Sequence, residues 1–331
     1  MKPINLGIIG CGIAATELHL PALNKLKNMF KIILVCNHTE QKAKKFAKLA
    51  GNISYVLDYK ELLSRPDIEA VDIALPIYMN YKVTKDALEA GKHVFIEKPI
   101  ASNLSEAKKM VSLQKKYNKV LLLAENFRYL PVIQKVKKLI NENKIGVPYA
   151  VIWNVFHFMD KKNKYAQTKW RIKPKHIGGF ITDGGVHYIA GIRSIFGELE
   201  SGTAFIDSIN PEIGAPDTFS LQFKTDKNIN GVFNLFFSAN GFSENNLIIF
   251  GKNGSMIVSG KKIIIKKTGY SEEKIVVDTN DEGGFIAEFK NFYYSIRKGE
   301  KILSSFSDGY QDLKIIIKAI SSAESGKKVL F

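Results

Sequence analysis

The chain has 331 residues, 45% hydrophobic and 24% charged, a composition that excludes a disordered or fibrous protein and suits two domains. Its formal net charge of +16 comes almost wholly from lysine, since Arg65, Arg128, Arg171, Arg193 and Arg297 are the only arginines. The lysines are scattered in short pairs (Lys44-Lys45, Lys108-Lys109, Lys137-Lys138), so a solvated basic surface that attracts anionic ligands is expected, and no nucleic-acid partner.

The first 125 residues alternate short apolar runs with helical spacing. The expected strands are Asn5 to Ile9, Lys31 to Cys36, Ile53 to Leu57, Ala70 to Leu75, His93 to Ile96 and Val120 to Ala124. Between them the spacing predicts helices over Ala15 to Lys27, Glu40 to Ala50, Lys60 to Leu63, Tyr78 to Ala90 and Ser105 to Tyr117. Apolar strands without polar alternation, separated by helices, imply a parallel sheet covered on both faces, a doubly wound fold.

The pattern changes near residue 126. A helix over Pro131 to Asn141 precedes an alternating strand, Val147 to Phe158, and an apolar helix follows Asp183. From Ser201 to Val277 strand-like runs follow one another (Thr218–Phe223, Gly231–Phe237, Leu247–Phe250, Met256–Val258, Lys262–Lys266), read as a large, mostly antiparallel sheet with one open face. Helices over Phe285 to Arg297 and Ser307 to Ser322 close the chain. The expected domains are therefore residues 1–125 and residues 126–331, the latter α+β, with the final helix able to pack back on the former. No apolar run approaches the roughly 20 residues of a spanning helix, and Met1 to Asn5 has no basic n-region. With only Cys11 and Cys36 available, no disulfide framework is expected, and a soluble, cytoplasmic protein is the default.

Three segments carry chemistry. Gly10, Gly12 and Ala15, with Ile13 between, form a G-x-G-x-x-A turn after the first strand and at the start of the first helix. That is where one glycine makes the tight turn, the next admits a pyrophosphate, and a small residue lets helix and strand approach. At the end of the second strand, Cys36-Asn37-His38-Thr39 has no carboxylate for the adenosine ribose; Asn37, His38, Thr39 and Lys42 could surround a 2′-phosphate, so NADP is favoured and NAD remains open. Glu97-Lys98-Pro99 follows the fifth strand at the carboxyl edge of the sheet, where open α/β sheets bind ligands. In the second half, Asp183 and His187 fall four apart on one helix face, a spacing at which a carboxylate can orient an imidazole; such a pair is also a common local helical contact. No metal site is expected.

Taken together, the glycine turn, Ala87-Leu88-Glu89-Ala90-Gly91 leading into Glu97-Lys98-Pro99, Asn126-Phe127-Arg128-Tyr129, and Gly178-Gly179 through Asp183 to His187 resemble the Gfo/Idh/MocA oxidoreductases over essentially the whole chain. The resemblance implies a Rossmann domain followed by an α/β domain whose open sheet often mediates oligomerisation, so a homodimer or homotetramer is expected. It implies that Lys98 hydrogen-bonds the reacting oxygen, that His187 is the general acid/base with Asp183 beside it, and that Gly10, Gly12, Leu75, Pro76, Glu97 and Asn126 line the cofactor. The implied reaction is hydride transfer between a nicotinamide and a carbinol or carbonyl of a sugar or polyol. Arg128, Tyr129, His157, Trp170 and Arg171 are candidate substrate contacts. Two positions depart from the family: Met79-Asn80-Tyr81 replaces an expected histidine, and Ala190 an expected aspartate, which weakens any claim to a polyol such as inositol. A non-catalytic NAD(P)-binding regulator and a cofactor-dependent glycoside-cleaving enzyme are the alternatives.

Overall fold

The structure, a computed structural model, describes residues 1–281 and 283–331. Six parallel strands form the first sheet: β1 (Ile4–Ile9), β2 (Phe30–Cys36), β3 (Ser54–Val56), β4 (Ala70–Ile73), β5 (His93–Glu97) and β6 (Leu121–Ala124), in the order β3-β2-β1-β4-β5-β6. The order reverses direction between β1 and β4, which places a ligand crevice at their carboxyl ends. Both β4 and β6 are buried throughout, as a strand with helices on either face must be.

The helices are α1 (Leu20–Lys25), α2 (Glu40–Leu49), α3 (Tyr59–Ser64), α4 (Asn80–Glu89) and α5 (Leu104–Lys116). Capping side chains mark two starts: Asp58 accepts from Lys60 N at 2.9 Å, and Asn103 from Glu106 N at 2.9 Å. The single helix expected over Ala15 to Lys27 is divided. Ala15–His19 is one π-helical turn, with the Leu20 amide donating to the Ala15 carbonyl, and α1 begins with Pro21 in its first turn. Proline has no amide and its ring crowds the preceding turn, so the wider turn ahead of it takes up the conflict.

Among the described residues the second sheet has nine strands. After α6 (Pro131–Asn141) come β7 (Pro148–Phe156), the short α7 (Lys169–Ile172) and α8 (Gly179–Phe196). Then follow β8 (Leu199–Asp207), β9 (Thr218–Thr225), β10 (Asn230–Phe236), β11 (Glu244–Gly251), β12 (Gly254–Ser259), β13 (Lys262–Lys266) and β14 (Glu273–Val276). The chain closes with α9 (Phe285–Lys298), α10 (Phe306–Ser325) and β15 (Val329–Leu330). The strand order is β14-β13-β12-β11-β7-β10-β9-β8-β15. The sheet is mostly antiparallel, as expected, but β10 and β7 run parallel, Asn230 beside Ala150 through Phe236 beside Phe156. Side-chain alternation is the same in either orientation, so the sequence could not distinguish them.

Val151, Trp153 and Val155 of β7 and Phe233 and Leu235 of β10 are buried, and Tyr188 of α8 packs edge-on to Trp153 (centroids 5.2 Å apart) and against Phe233 (5.4 Å). The opposite face carries the half-buried Ile152, Asn154, Phe156, Val232, Asn234 and Phe236.

The chain divides into two compact units, Met1–Tyr129 with Gly283–Tyr310, and Leu130–Glu282 with Gln311–Phe331. The first thus recruits α9, a stretch that a boundary at residue 126 assigns to the other half. The amphipathic face of α9 explains why: Phe289, Phe292 and Tyr293 join the core built around Phe30 and Phe95, with Phe289 stacked on Phe95 at 4.3 Å.

One pH effect follows from this unit alone. His93 of β5 accepts from the Val120 amide at 2.9 Å, and burial, aided by the positive charge of Lys119, pushes its pKa down to about 4. The stability this neutral ring contributes is complete above about pH 6.5 and lost as the pH falls toward 4, because the unfolded state takes up the proton first. Against a His93→Gln variant, wild type should lose on the order of 2 kcal/mol more across that window, after allowance for partial exposure. Parallel urea titrations at the two pH extremes measure it, and equal losses in both proteins would refute the assignment.

Candidate active site

The glycine turn is built as the motif requires. Gly10 has φ +102°, a conformation side chains avoid, and a Cβ there would lie 2.2 Å from the Ala74 carbonyl oxygen. Nothing of the protein lies within 4 Å of where a Gly12 Cβ would sit, so the backbone is open on the side a pyrophosphate approaches. Ala15 is fully buried, allowing the close approach of the following turn to the sheet, while Ile13 is half-buried. Leu75 and Pro76, just beyond β4, are half-buried beside the turn; the Leu75 side chain would be 3.1 Å from a Gly10 Cβ. These features fit a dinucleotide.

At the end of β2, Asn37 braces the turn: its Oδ1 accepts from Cys11 N at 3.2 Å and its Nδ2 donates to the Thr39 carbonyl at 3.2 Å. His38 and Lys42 are exposed. Glu40, the nearest carboxylate in sequence, is held by Lys44 at 2.9 Å and by the Tyr55 hydroxyl at 3.0 Å.

Lys98 is half-buried where β5 ends, and the Lys98–Pro99 bond is cis. The corner is gripped by a residue that sequence reasoning passed over. Asn80, 1% exposed at the start of α4, donates from Nδ2 to the Glu97 carbonyl at 3.2 Å and to the Pro99 carbonyl at 2.9 Å. The departure at Met79-Asn80-Tyr81 was the available signal: a short amide side chain beside Glu97-Lys98-Pro99 suits backbone bonding. Asn126 donates to the Gly283 carbonyl at 2.8 Å, within the same unit. Arg128 is buried, and Tyr129 is a core residue whose hydroxyl donates to Asn291 Oδ1 at 2.8 Å.

In the second unit, two left-handed glycines, Gly178 (φ +80°) and Gly179 (φ +48°), open α8, and a Cβ on Gly179 would lie 2.8 Å from the Ala215 carbonyl. The helix begins four residues before Asp183, so Asp183 and His187 do share one face, the first buried and the second half-buried. Asp183 Oδ2 accepts from Arg171 Nε at 2.7 Å. The Arg171 guanidinium lies 4.0 Å from the Trp170 ring centroid and 5.1 Å from that of Tyr165. His157 packs edge-on to Phe237 at 4.9 Å, and burial lowers its pKa. Three predicted residues, Trp170, Arg171 and Asp183, are therefore joined in one chain of contacts, with Tyr165 an unpredicted fourth.

Residues 4–125 match the family described as oxidoreductase family, NAD-binding Rossmann fold (GFO_IDH_MocA), and residues 137–331 match its C-terminal alpha/beta domain. The chain belongs to the Gfo/Idh/MocA oxidoreductases. An uncharacterized protein of Saccharomyces cerevisiae is 37% identical over 320 residues, covering 92% of this chain and 90% of its own. The crystal structure of an oxidoreductase from Thermotoga maritima superposes with a TM-score of 0.94 at 38% identity, covering 99% of this chain and 98% of that one. A levoglucosan dehydrogenase in complex with NADH and levoglucosan shares the fold at TM-score 0.90 and 21% identity, over 99% of both chains. This Gfo/Idh/MocA member is accordingly an enzyme, an NAD(P)-dependent oxidoreductase; no helix among its described residues is long and apolar enough to cross a membrane.

Proposed function

We propose that the protein interconverts a carbinol and a carbonyl on a sugar, polyol or related cyclic alcohol, with NADP as the preferred cofactor. The observation that carries this reading is the pairing, in one Rossmann sheet, of a glycine turn open at Gly12 with Lys98 at the carboxyl end of β5. When bound, the dinucleotide supplies a nicotinamide carbon that accepts or returns a hydride. Gly10, Gly12 and the turn after them hold its pyrophosphate. Lys98 hydrogen-bonds the reacting oxygen and stabilises negative charge developing there. His187 takes the hydroxyl proton in oxidation and returns it in reduction. Asp183, fixed by Arg171, binds substrate hydroxyls and orients the base.

The preference for NADP rests on the end of β2, where Asn37 is spent on the turn, Glu40 on Lys44 and Tyr55, and exposed His38 and Lys42 are left to meet a phosphate. Comparable affinities for NADPH and NADH would sink it. For the reaction, purified protein is offered NADP⁺ or NAD⁺ with a panel of aldoses, polyols and cyclic diols, and nicotinamide absorbance is followed. Reduction with one member of the panel is the expected result. Silence throughout, with cofactor binding intact, would favour the regulator; release of an aglycone without net reduction would favour glycoside cleavage.

The half-buried sheet face bearing Ile152, Phe156, Val232 and Phe236 is assigned to a second copy of the chain. Sedimentation should return a dimer or tetramer of the 37.1 kDa chain, and a monomer at micromolar concentration would refute this.

A further inference from the structure

The strongest feature that the proposed reaction leaves unused is a buried cluster of charge behind Lys98. His19, 1% exposed, ends the π-helical turn that follows the glycine motif. Its Nδ1 lies 2.8 Å from Asp72 Oδ2 on β4, and its Nε2 lies 3.0 Å from Glu97 Oε1 at the end of β5. Both ring nitrogens face carboxylate oxygens, and a neutral imidazole has only one N–H to give. The arrangement therefore calls for a doubly protonated ring. Phe95 and Phe289 stand edge-on at 5.5 Å each, with Phe285 at 6.4 Å, so the bridge sits in an apolar sleeve where charged hydrogen bonds are strong.

The other titratable groups facing this cluster are Glu288 of α9, Glu125, just after β6, and the buried Cys11 thiol, which feels the Asp72 charge. Glu288 is fully buried with neither oxygen hydrogen-bonded; burial, opposed by His19 and reinforced by Glu97, Glu125 and Asp72, holds its pKa well above the usual range. Burial alone would strip the proton from His19, but Asp72 and Glu97 outweigh it and keep the ring charged. Among the described residues, no group of three or more His, Cys, Asp or Glu is placed to hold a metal ion.

We propose that His19 is a positioning residue that locks the Glu97-Lys98-Pro99 corner to the cofactor-binding turn. One ring ties together three segments: the turn that follows the pyrophosphate-binding glycines, the end of β4 and the end of β5. Asn80 secures the backbone of the same corner on either side of Lys98, and His19 secures the side chain next to it. The bridge fixes the direction in which Lys98 leaves the strand. Its importance to turnover rests on the reading of Lys98 given above.

The test uses His19→Gln, whose neutral amide carries no positive charge and holds both its N–H donors on one nitrogen, so it cannot take the place of two charged donors on opposite sides of a ring. The variant should fold, bind NADPH within about threefold of wild type, keep KM within about threefold, and lose about ten- to a hundredfold in kcat, the cost of a misaimed catalytic group. Placed in a Lys98→Ala background, it should add less than about twofold, because it acts through Lys98. Multiplying losses, a change confined to KM, or an unchanged kcat would overturn the proposal.

Two readouts need no turnover. In ¹⁵N-histidine spectra, the His19 ring should remain doubly protonated well above the ordinary imidazole pKa of about 6.5, and a neutral ring there refutes the bridge. The Lys98 Nζ signal, identified by its loss in Lys98→Ala, should shift in His19→Gln, and an unmoved signal refutes the positioning role. If wild type turns over nothing, the proposed reaction falls and these spectra alone decide the bridge. Should His19→Gln fail to fold, Glu97→Gln removes the other half of the same contact and is expected to move the same signals.

Discussion

Lys98→Ala is expected to lower kcat by about 10²- to 10⁴-fold, the range for losing a group that assists proton transfer or stabilises charge at the reacting oxygen. Dinucleotide affinity should move by less than about threefold, because on the proposed reading the pyrophosphate rests on the Gly10–Gly12 turn and the amides beyond it. Lys98→Arg tests whether charge alone suffices. A planar guanidinium keeps the positive charge but places its donors differently, so most of the loss should remain. Stopped-flow binding of NADPH and steady-state kinetics on the same preparations separate the two effects. A kcat within threefold of wild type would reduce Lys98 to a surface charge at a strand end.

Arg193→Met should be the most destabilising single change in the second unit. The Arg193 side chain is 4% exposed on α8; its Nη1 donates to Asp312 Oδ1 at 2.5 Å, and Nε and Nη2 donate to Glu198 at 2.8 and 2.7 Å. Asp312 is itself 2% exposed, so the substitution strips a buried carboxylate of its guanidinium, at a cost of about 3–5 kcal/mol. At roughly 2–4 °C per kcal/mol for a unit of this size, the midpoint should fall by about 6–20 °C. Glu198 is 56% exposed and regains water, so Glu198→Gln should cost less than about 1 kcal/mol. The decisive variant is the double Arg193→Met, Asp312→Leu, which removes both charges and should recover much of the loss. No recovery would mean that packing around α8 dominates, not the ion pair.

These residues show what could be read from the chain and what could not. The helix Pro131–Asn141 was legible because it buries one continuous apolar face, and the strands of the first sheet because their apolar runs lack polar alternation. Periodicity does not report partners. It marked α9 as amphipathic, yet could not say that Phe289 would lie on Phe95. It ran one helix through Pro21, because an apolar stripe continues across a proline while the hydrogen-bond ladder does not.

At the candidate site, the residues that carry a motif could be named from the sequence, and those that brace them could not. Asp72 was a usable clue, since an ionisable side chain inside the wholly buried Ala70–Ile73 strand requires a partner. His19, 53 positions away, had no local sign of being that partner. Likewise, the four-residue spacing of Asp183 and His187 was visible, whereas the pairing of Asp183 with Arg171 depends on how the loop before α8 folds.

The division of the first unit between two stretches of chain sets an order of events during synthesis. The six strands of the cofactor sheet have all been synthesised by residue 124, yet Phe289, Phe292 and Tyr293, which close the core against Phe30 and Phe95, are then still unmade. The unit translated first therefore stays incomplete until the nine-stranded sheet, except its final edge strand, has been made. Until then its newest apolar surface is what a chaperone would meet. A gene fragment ending at the apparent domain boundary would encode a sheet without its closing helix.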